Sequence, residues 1–157
     1  MLKTLDEIAA LSEELYNSVS SAIETITFLS VDNPENVGIK PAEGKEYING
    51  HILIKTLHAM YYLEMLVPQE FLETISADIA VPGTEAEDAN NIVIDVLLEL
   101  VNTISGSLMR TMEAQTGAFT LEIPEFDIGK PLNENAFITK RYIADDNYWI
   151  SVAITKI

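Results

Sequence analysis

No cysteine occurs in this chain, which removes disulfide cross-links, thiolate catalysis and cysteine-based zinc sites at once. Basic residues are scarce: nine Lys and Arg stand against 25 Asp and Glu, for a formal net charge of −16. A nucleic-acid partner is disfavoured on that balance, because phosphate backbones are gripped through Lys and Arg, and anionic membrane surfaces are disfavoured for the same reason. No unbroken run of 18 or more apolar residues is present, and Lys3, Asp6 and Glu7 interrupt the opening segment. Neither a membrane-spanning helix nor a secretory leader is therefore expected, and the expected location is the cytoplasm. The only histidines, His51 and His58, fall in or beside predicted strands with no neighbouring Asp, Ser or paired-His spacing. Neither is expected to serve as a metal ligand or general base.

What the chain has is a 48% apolar composition over 157 residues, enough for one domain with a real core. Apolar residues at helical spacing predict a first helix from Thr4 to Ile26 with Ile8, Leu11, Leu15, Val19, Ile23 and Ile26 inward, opened by a capping box between Thr4 and Glu7. Turn chemistry at 32–36 and a break at 41–44 leave a short edge-like strand between them, and neither is long enough to be a domain linker. Tyr47–Lys55 and Met60–Val67 read as strands, the second apolar on both faces and so central or covered. Pro68 at the first helical position opens a short helix to about Ala80 with Phe71, Leu72 and Ile75 inward. After the break at 81–84, Thr84 and Glu87 read as a second capping box, opening a long helix to about Ala114. The remainder is β: a strand at Phe119–Ile123, then a hairpin around Asp145, Asp146 and Asn147 whose last strand alternates with period two.

The long helix carries the most informative pattern. At about 100° per residue, Asp95, Glu99, Asn102 and Gly106 share a narrow arc, opposite Val93, Leu97, Leu100, Ile104 and Leu108. A face that only needs solvating is normally filled with good helix formers, whereas Asn and Gly each cost roughly 0.6–1 kcal/mol relative to Ala. Such an arc presents polar groups, with Gly106 leaving clearance for a second molecule near Glu99 and Asn102. The plainer reading is a solvated face whose glycine is tolerated by packing.

A second copy of the pattern lies 85 residues upstream. Glu14-Leu15-Tyr16-Asn17 aligns with Glu99-Leu100-Val101-Asn102, with Ser21 in the place of Gly106 and Ala10 in the place of Asp95. That spacing fits a duplicated half-domain, with halves at roughly 1–82 and 83–157. Glu14 and Asn17 are then either a second site or a relic of duplication on a helix kept for packing. Prolines trail both motifs, Pro41 after the first and Pro124 after the second.

The run Asp95-x3-Glu99-x2-Asn102, with Pro124 following after 21 residues, resembles the signature of the CheC/CheX/FliY family of chemotaxis phosphatases, whose proline comes about twenty-two residues after the Asn. The resemblance covers nearly the whole chain and is nearest a CheX-like single domain. It implies an α/β (α+β) fold: a six-stranded, mostly antiparallel sheet, long motif helices packed on one face, and pseudo-twofold halves. It further implies hydrolysis of the phospho-aspartate of a CheY-type response regulator. In that reading Asn102 orients the attacking water, Glu99 pairs with the partner's active-site lysine, and Asp95 and Gly106 support them. No cofactor of its own is expected, Mg²⁺ residing on the partner, and the length suggests a homodimer. Two other readings stand beside it. One is a non-catalytic adaptor of the same fold that binds a response regulator or a flagellar switch component. The other is a cation site of Asp88, Asp95 and Glu99, a poor oxygen cage without loop ligands.

Overall fold

The computed structural model describes residues 1–33, 46–77 and 86–157, and for 86–89 the backbone alone. The expected strand before Pro41, the break at 81–84, the Thr84/Glu87 capping box and the Asp88 side chain lie outside the described residues. The elements are α1 (Leu11–Thr27), β1 (Val31–Asp32), β2 (Tyr47–Thr56), β3 (Met60–Pro68), α2 (Gln69–Ala77), α3 (Ala86–Thr116), β4 (Phe119–Leu121), β5 (Glu125–Ile128), β6 (Ile138–Ala144) and β7 (Tyr148–Lys156).

All the strands join one antiparallel sheet in the order β1-β6-β7-β3-β2-β4, with β5 also pairing β2. This order is palindromic when α1, β1, β2 and β3 are matched to α3, β4, β6 and β7. The axis falls between β3 and β7, where Leu63 pairs Ile154 and Met65 pairs Val152. Each half also lends its short strand to the other: β1 pairs β6, while β4 pairs β2. The central place expected for Met60–Val67 is found, β3 being hydrogen-bonded on both sides; Tyr61, Leu63, Met65 and Val67 are buried on one face, while Met60, Tyr62 and Glu64 share the other, where Met60 and Tyr62 are exposed.

Register decides which residues meet the helices. Ile48, Gly50, Ile52 and Ile54 of β2 lie opposite Val67, Met65, Leu63 and Tyr61 of β3, and this face packs beneath α3, with α1 beside it. The expected stripe on the first helix is buried at Ile8, Leu11, Leu15, Val19 and Ile23, with Ile26 half-buried, and Phe71, Leu72 and Ile75 of α2 are buried as well. The stretch Asn90–Thr116 is long and apolar enough to cross a membrane by length and composition, with mean hydropathy 1.7. Asp95 and Glu99 interrupt it, and its apolar side is spent on the sheet and α1. α3 ends at Gly117, whose positive φ of 80° lets its N–H return to the Glu113 carbonyl at 2.8 Å.

Three expectations are corrected. The Glu7 carboxylate accepts from the Thr4 N–H at 3.0 Å, as a capping box requires, but the turn it opens is a 3-10 turn at Leu5–Glu7, and the helix proper begins only at Leu11. The strand expected at Phe119–Ile123 stops at Leu121 and resumes as β5, and β1 forms at Val31–Asp32 where no strand is expected, so the described residues alone hold seven strands where six are expected of the chain. Pro124 sits at that break with no N–H to give the ladder, so β4 and β5 take separate stretches of the β2 edge. Pro68 closes β3, so the short helix starts at Gln69 and not at Pro68; it is described to Ala77, and its expected continuation to about Ala80 lies outside the described residues. The hairpin turn is as expected: Asp145 and Asp146 both take φ near 53°, and Asn147 N–H returns to the Ala144 carbonyl at 3.1 Å.

One core residue predicts an alkaline response. Tyr142 of β6 is fully buried, its hydroxyl has no partner among the described residues, and burial pushes its phenol well above the usual value; burial raises Tyr61 in the same direction. A raised folded-state value keeps stability intact below the unfolded phenol value of about 10 and loses it as pH climbs beyond that. Tyr142→Phe is expected to leave neutral-pH stability unchanged or higher by up to about 1 kcal/mol, since it deletes an orphan polar group. It should also flatten the loss of stability above about pH 10, which urea titrations across pH would register.

Candidate functional site on helix α3

The helix α3 packs on β2, β3, β4 and β5, and one strand position decides how near it lies. Gly50 lies beneath it, where an added Cβ would come 2.8 Å from Val101 Cγ2 and 2.9 Å from Leu97 Cγ. Leu97, Leu100, Val101, Ile104 and Leu108 are fully buried, while Asp95, Glu99 and Asn102 are exposed on the outward arc. The arc is therefore presented as the periodicity requires, on a helix clamped along its opposite side. Thr103 adds a local constraint, its hydroxyl donating to Glu99 Oε1 at 3.3 Å. That bond turns the carboxylate toward its own helix one turn on.

Gly106 departs from expectation. It is buried, and the three atoms nearest a Cβ built there all belong to the Arg110 guanidinium, the first at 3.2 Å. The clearance left by the missing side chain is filled by this chain's own arginine. Gly106→Ala is accordingly expected to raise stability by about 0.5–1 kcal/mol, the gain of Ala over Gly inside a helix. Only the tip of a flexible side chain must give way, and thermal denaturation checks the sign.

The upstream copy is built differently. Asn17 and Ser21 are exposed and Glu14 is half-buried, so the spacing again sets a polar pair outward. Glu14, however, is only the fourth residue of α1, and Ala10 precedes the helix as its cap. Glu99 lies more than three turns inside α3. The break at Ile8–Ala10 therefore removes from the first motif the turn that carries Asp95 in the second.

On the opposite face, which carries no helix among the described residues, the register gathers polar groups that the sequence keeps apart. His51 is 7% exposed, and its Nε2 lies 3.7 Å from a Glu125 carboxylate oxygen and 3.9 Å from one of Asp127. Sequence spacing gives His51 no acidic neighbour; antiparallel pairing of β2 with β5 supplies two. Glu64, 4% exposed, accepts from Asn49 Nδ2 at 3.2 Å and from the Asn133 N–H at 3.0 Å, which ties the crossover after β5 to the sheet. His58 is exposed in the turn between β2 and β3. Gly50 and Glu64 were the residues sequence reasoning missed. A lone glycine inside an apolar strand is a signal of close backbone approach and would have found the first; nothing local marks the second.

The class so defined is a single antiparallel sheet with two outward-facing Glu-x-x-Asn helices on one side. No family model and no curated protein matches the chain. Solved structures do. CheX from Borrelia burgdorferi, in a complex with CheY, BeF3 and Mg²⁺, aligns at TM-score 0.70 and 16% identity over 93% of this chain and 97% of that one. CheX from Vibrio vulnificus aligns at 0.68 and 17% over 93% and 97%, and FliY from Thermotoga maritima at 0.58 and 11% over 97% and 91%. The chain has the CheC/CheX/FliY fold.

Proposed function

We propose that this chain accelerates hydrolysis of the phospho-aspartate on a CheY-type response regulator, through Asn102 and Glu99. The observation that supports this reading best is an exposed Glu99/Asn102 pair on the outward face of α3, in a fold shared with a CheX in complex with CheY. An acyl phosphate is a mixed anhydride, already activated, so little beyond positioning is asked of the protein. Water attacks phosphorus in line, the P–O bond to the aspartyl carboxylate breaks with its electron pair leaving on the carboxylate, and inorganic phosphate departs. The Asn102 amide holds that water by accepting from it and donating to a phosphoryl oxygen. An amide takes no proton near neutral pH, so its part is orientation and not general-base catalysis. Glu99, steadied by Thr103, pairs with a partner lysine and sets the angle of approach. Asp95 stands at the rim. Mg²⁺ on the partner offsets charge on the phosphoryl oxygens, and this chain brings no cofactor.

In the same reading the working site is the one on α3, with Glu14 and Asn17 a relic of duplication on a helix kept for packing, and the protein acts in the cytoplasm as a homodimer. The test is the decay of radiolabelled phospho-regulators from the source organism, alone and with wild-type protein or Asn17→Ala. Faster decay, unaltered by Asn17→Ala, is the expected result. Partial loss with Asn17→Ala makes it a two-site enzyme. Binding of the phosphorylated regulator without any change in its lifetime, across several regulators, makes the chain an adaptor instead.

A further inference from the structure

Arg110 is the one basic residue in the three helices, whose sequences otherwise carry only acidic charges. It falls on the same arc as Asp95, Glu99 and Asn102, about 60° from Asp95 at 100° per residue. Eight residues separate it from Asn102, a rise of about 12 Å, but its side chain lies back along the helix over Gly106, one turn from Asn102 and about 6 Å along the axis. Gly106 is what permits this, since a side chain there would occupy the place the guanidinium takes. Among the described residues Arg110 has no hydrogen bond or ion pair of its own, whereas Lys55, Lys130 and Lys156 are each engaged by a carboxylate. An exposed guanidinium thus lies over Gly106 on the arc, with its donors uncommitted among the described residues.

Charge gives the placement its meaning. A chain of net charge −16, presenting Asp95, Glu99 and Glu113 along one arc, repels any anionic surface brought to that arc. A protein domain bearing an acyl phosphate is such a surface. We propose that Arg110 is the docking cation of this site, making a charge-assisted contact with carboxylates at the rim of the partner's phosphorylated pocket, and that the Gly106–Arg110 pair distinguishes the α3 site from its upstream copy. The guanidinium stands about a helical turn from Asn102, which suits the rim and leaves the phosphoryl group to the amide. The upstream copy lacks both members: Ser21 stands in the place of Gly106 and Thr25 in the place of Arg110. Arg110 is therefore a specificity residue, not a catalytic one.

This rests on the function proposed above, and the experiment separates the two. Turnover of a phosphorylated CheY-type regulator is measured as kcat and KM across a salt series for wild type, Arg110→Gln, Arg110→Lys and Asn102→Ala. Binding of the BeF3-activated regulator to the same four proteins is measured by fluorescence anisotropy. Arg110→Gln is expected to raise KM and Kd roughly five- to tenfold with kcat within about twofold, and to flatten the salt dependence of kcat/KM, while Arg110→Lys keeps most of the wild-type KM. Unchanged KM, Kd and salt slope in Arg110→Gln overturn the proposal, as does a fall in kcat at constant KM, which would put Arg110 at the phosphoryl group. If Asn102→Ala turns over normally the phosphatase reading fails instead, and the anisotropy series still decides whether Arg110 docks the partner. Absence of binding by wild type overturns both.

Discussion

Asn102→Ala is expected to slow the catalysed decay of the phosphorylated regulator by about 100-fold or more, the scale on which one preorganised hydrogen-bonding group at a reacting centre is felt. Binding of the regulator should survive, because docking rests on Glu99 and Arg110 while the amide acts on the water. Asn102 is exposed and packs nothing, so the variant should be no less stable than wild type; trading Asn for Ala inside a helix favours folding by roughly 0.6 kcal/mol. A variant dead in turnover, intact in binding and slightly raised in melting temperature isolates the chemistry from the fold. Asn102→Asp is expected to be equally slow, since a carboxylate cannot donate to a phosphoryl oxygen and adds charge of the wrong sign. Wild-type turnover in either variant would remove the role assigned to the amide.

Gly50→Val is expected to cost about 3 kcal/mol of stability and to lower the melting temperature by about 6–12 °C at this chain length. Two effects oppose one another here. Replacing a strand glycine normally gains about 0.5–1 kcal/mol through the unfolded chain and β propensity. Against that, a Cβ at this position sits 2.8 Å from Val101 and 2.9 Å from Leu97, both fully buried and so without room to give. The clash wins, and it acts on the helix that carries Asp95, Glu99 and Asn102. Gly50→Ala is expected to go the same way more mildly, by about 1–2 kcal/mol. Either variant should lose turnover through displacement of α3, with binding and kcat falling together, unlike Asn102→Ala. A Gly50→Val protein with wild-type stability would show that α3 is not seated on this strand as described.

Helical spacing was readable because burial enforces it. The stripe of the first helix and that of α3 are stated by residue type alone, and the same spacing places Asp95, Glu99 and Asn102 outward without reference to anything else. The strands at Tyr47–Thr56 and Met60–Pro68 were equally plain, as was the hairpin turn, where two Asp residues at positive φ repeat a known turn chemistry. Boundaries were less readable. A capping box reports only that a turn begins, and the one at Thr4 opens a single 3-10 turn before the backbone breaks.

The pairings that cross the chain were not legible in it. His51 gains its two carboxylates from a strand more than seventy residues away, and Glu64 gains Asn133 from a crossover equally distant. Arg110 over Gly106 lies between these cases: four residues apart, yet decided by the rotamer that the missing side chain admits. By itself the sequence determined which residues lie inside, which helix face is presented, and that a Glu-x-x-Asn pair stands on it twice, because each follows from periodicity within one element. Only the tertiary structure decided that the two halves exchange edge strands, that α3 rests on Gly50, and that the Arg110 guanidinium lies over Gly106. Those depend on where separate elements meet, and a local pattern of residue types carries no distance between elements.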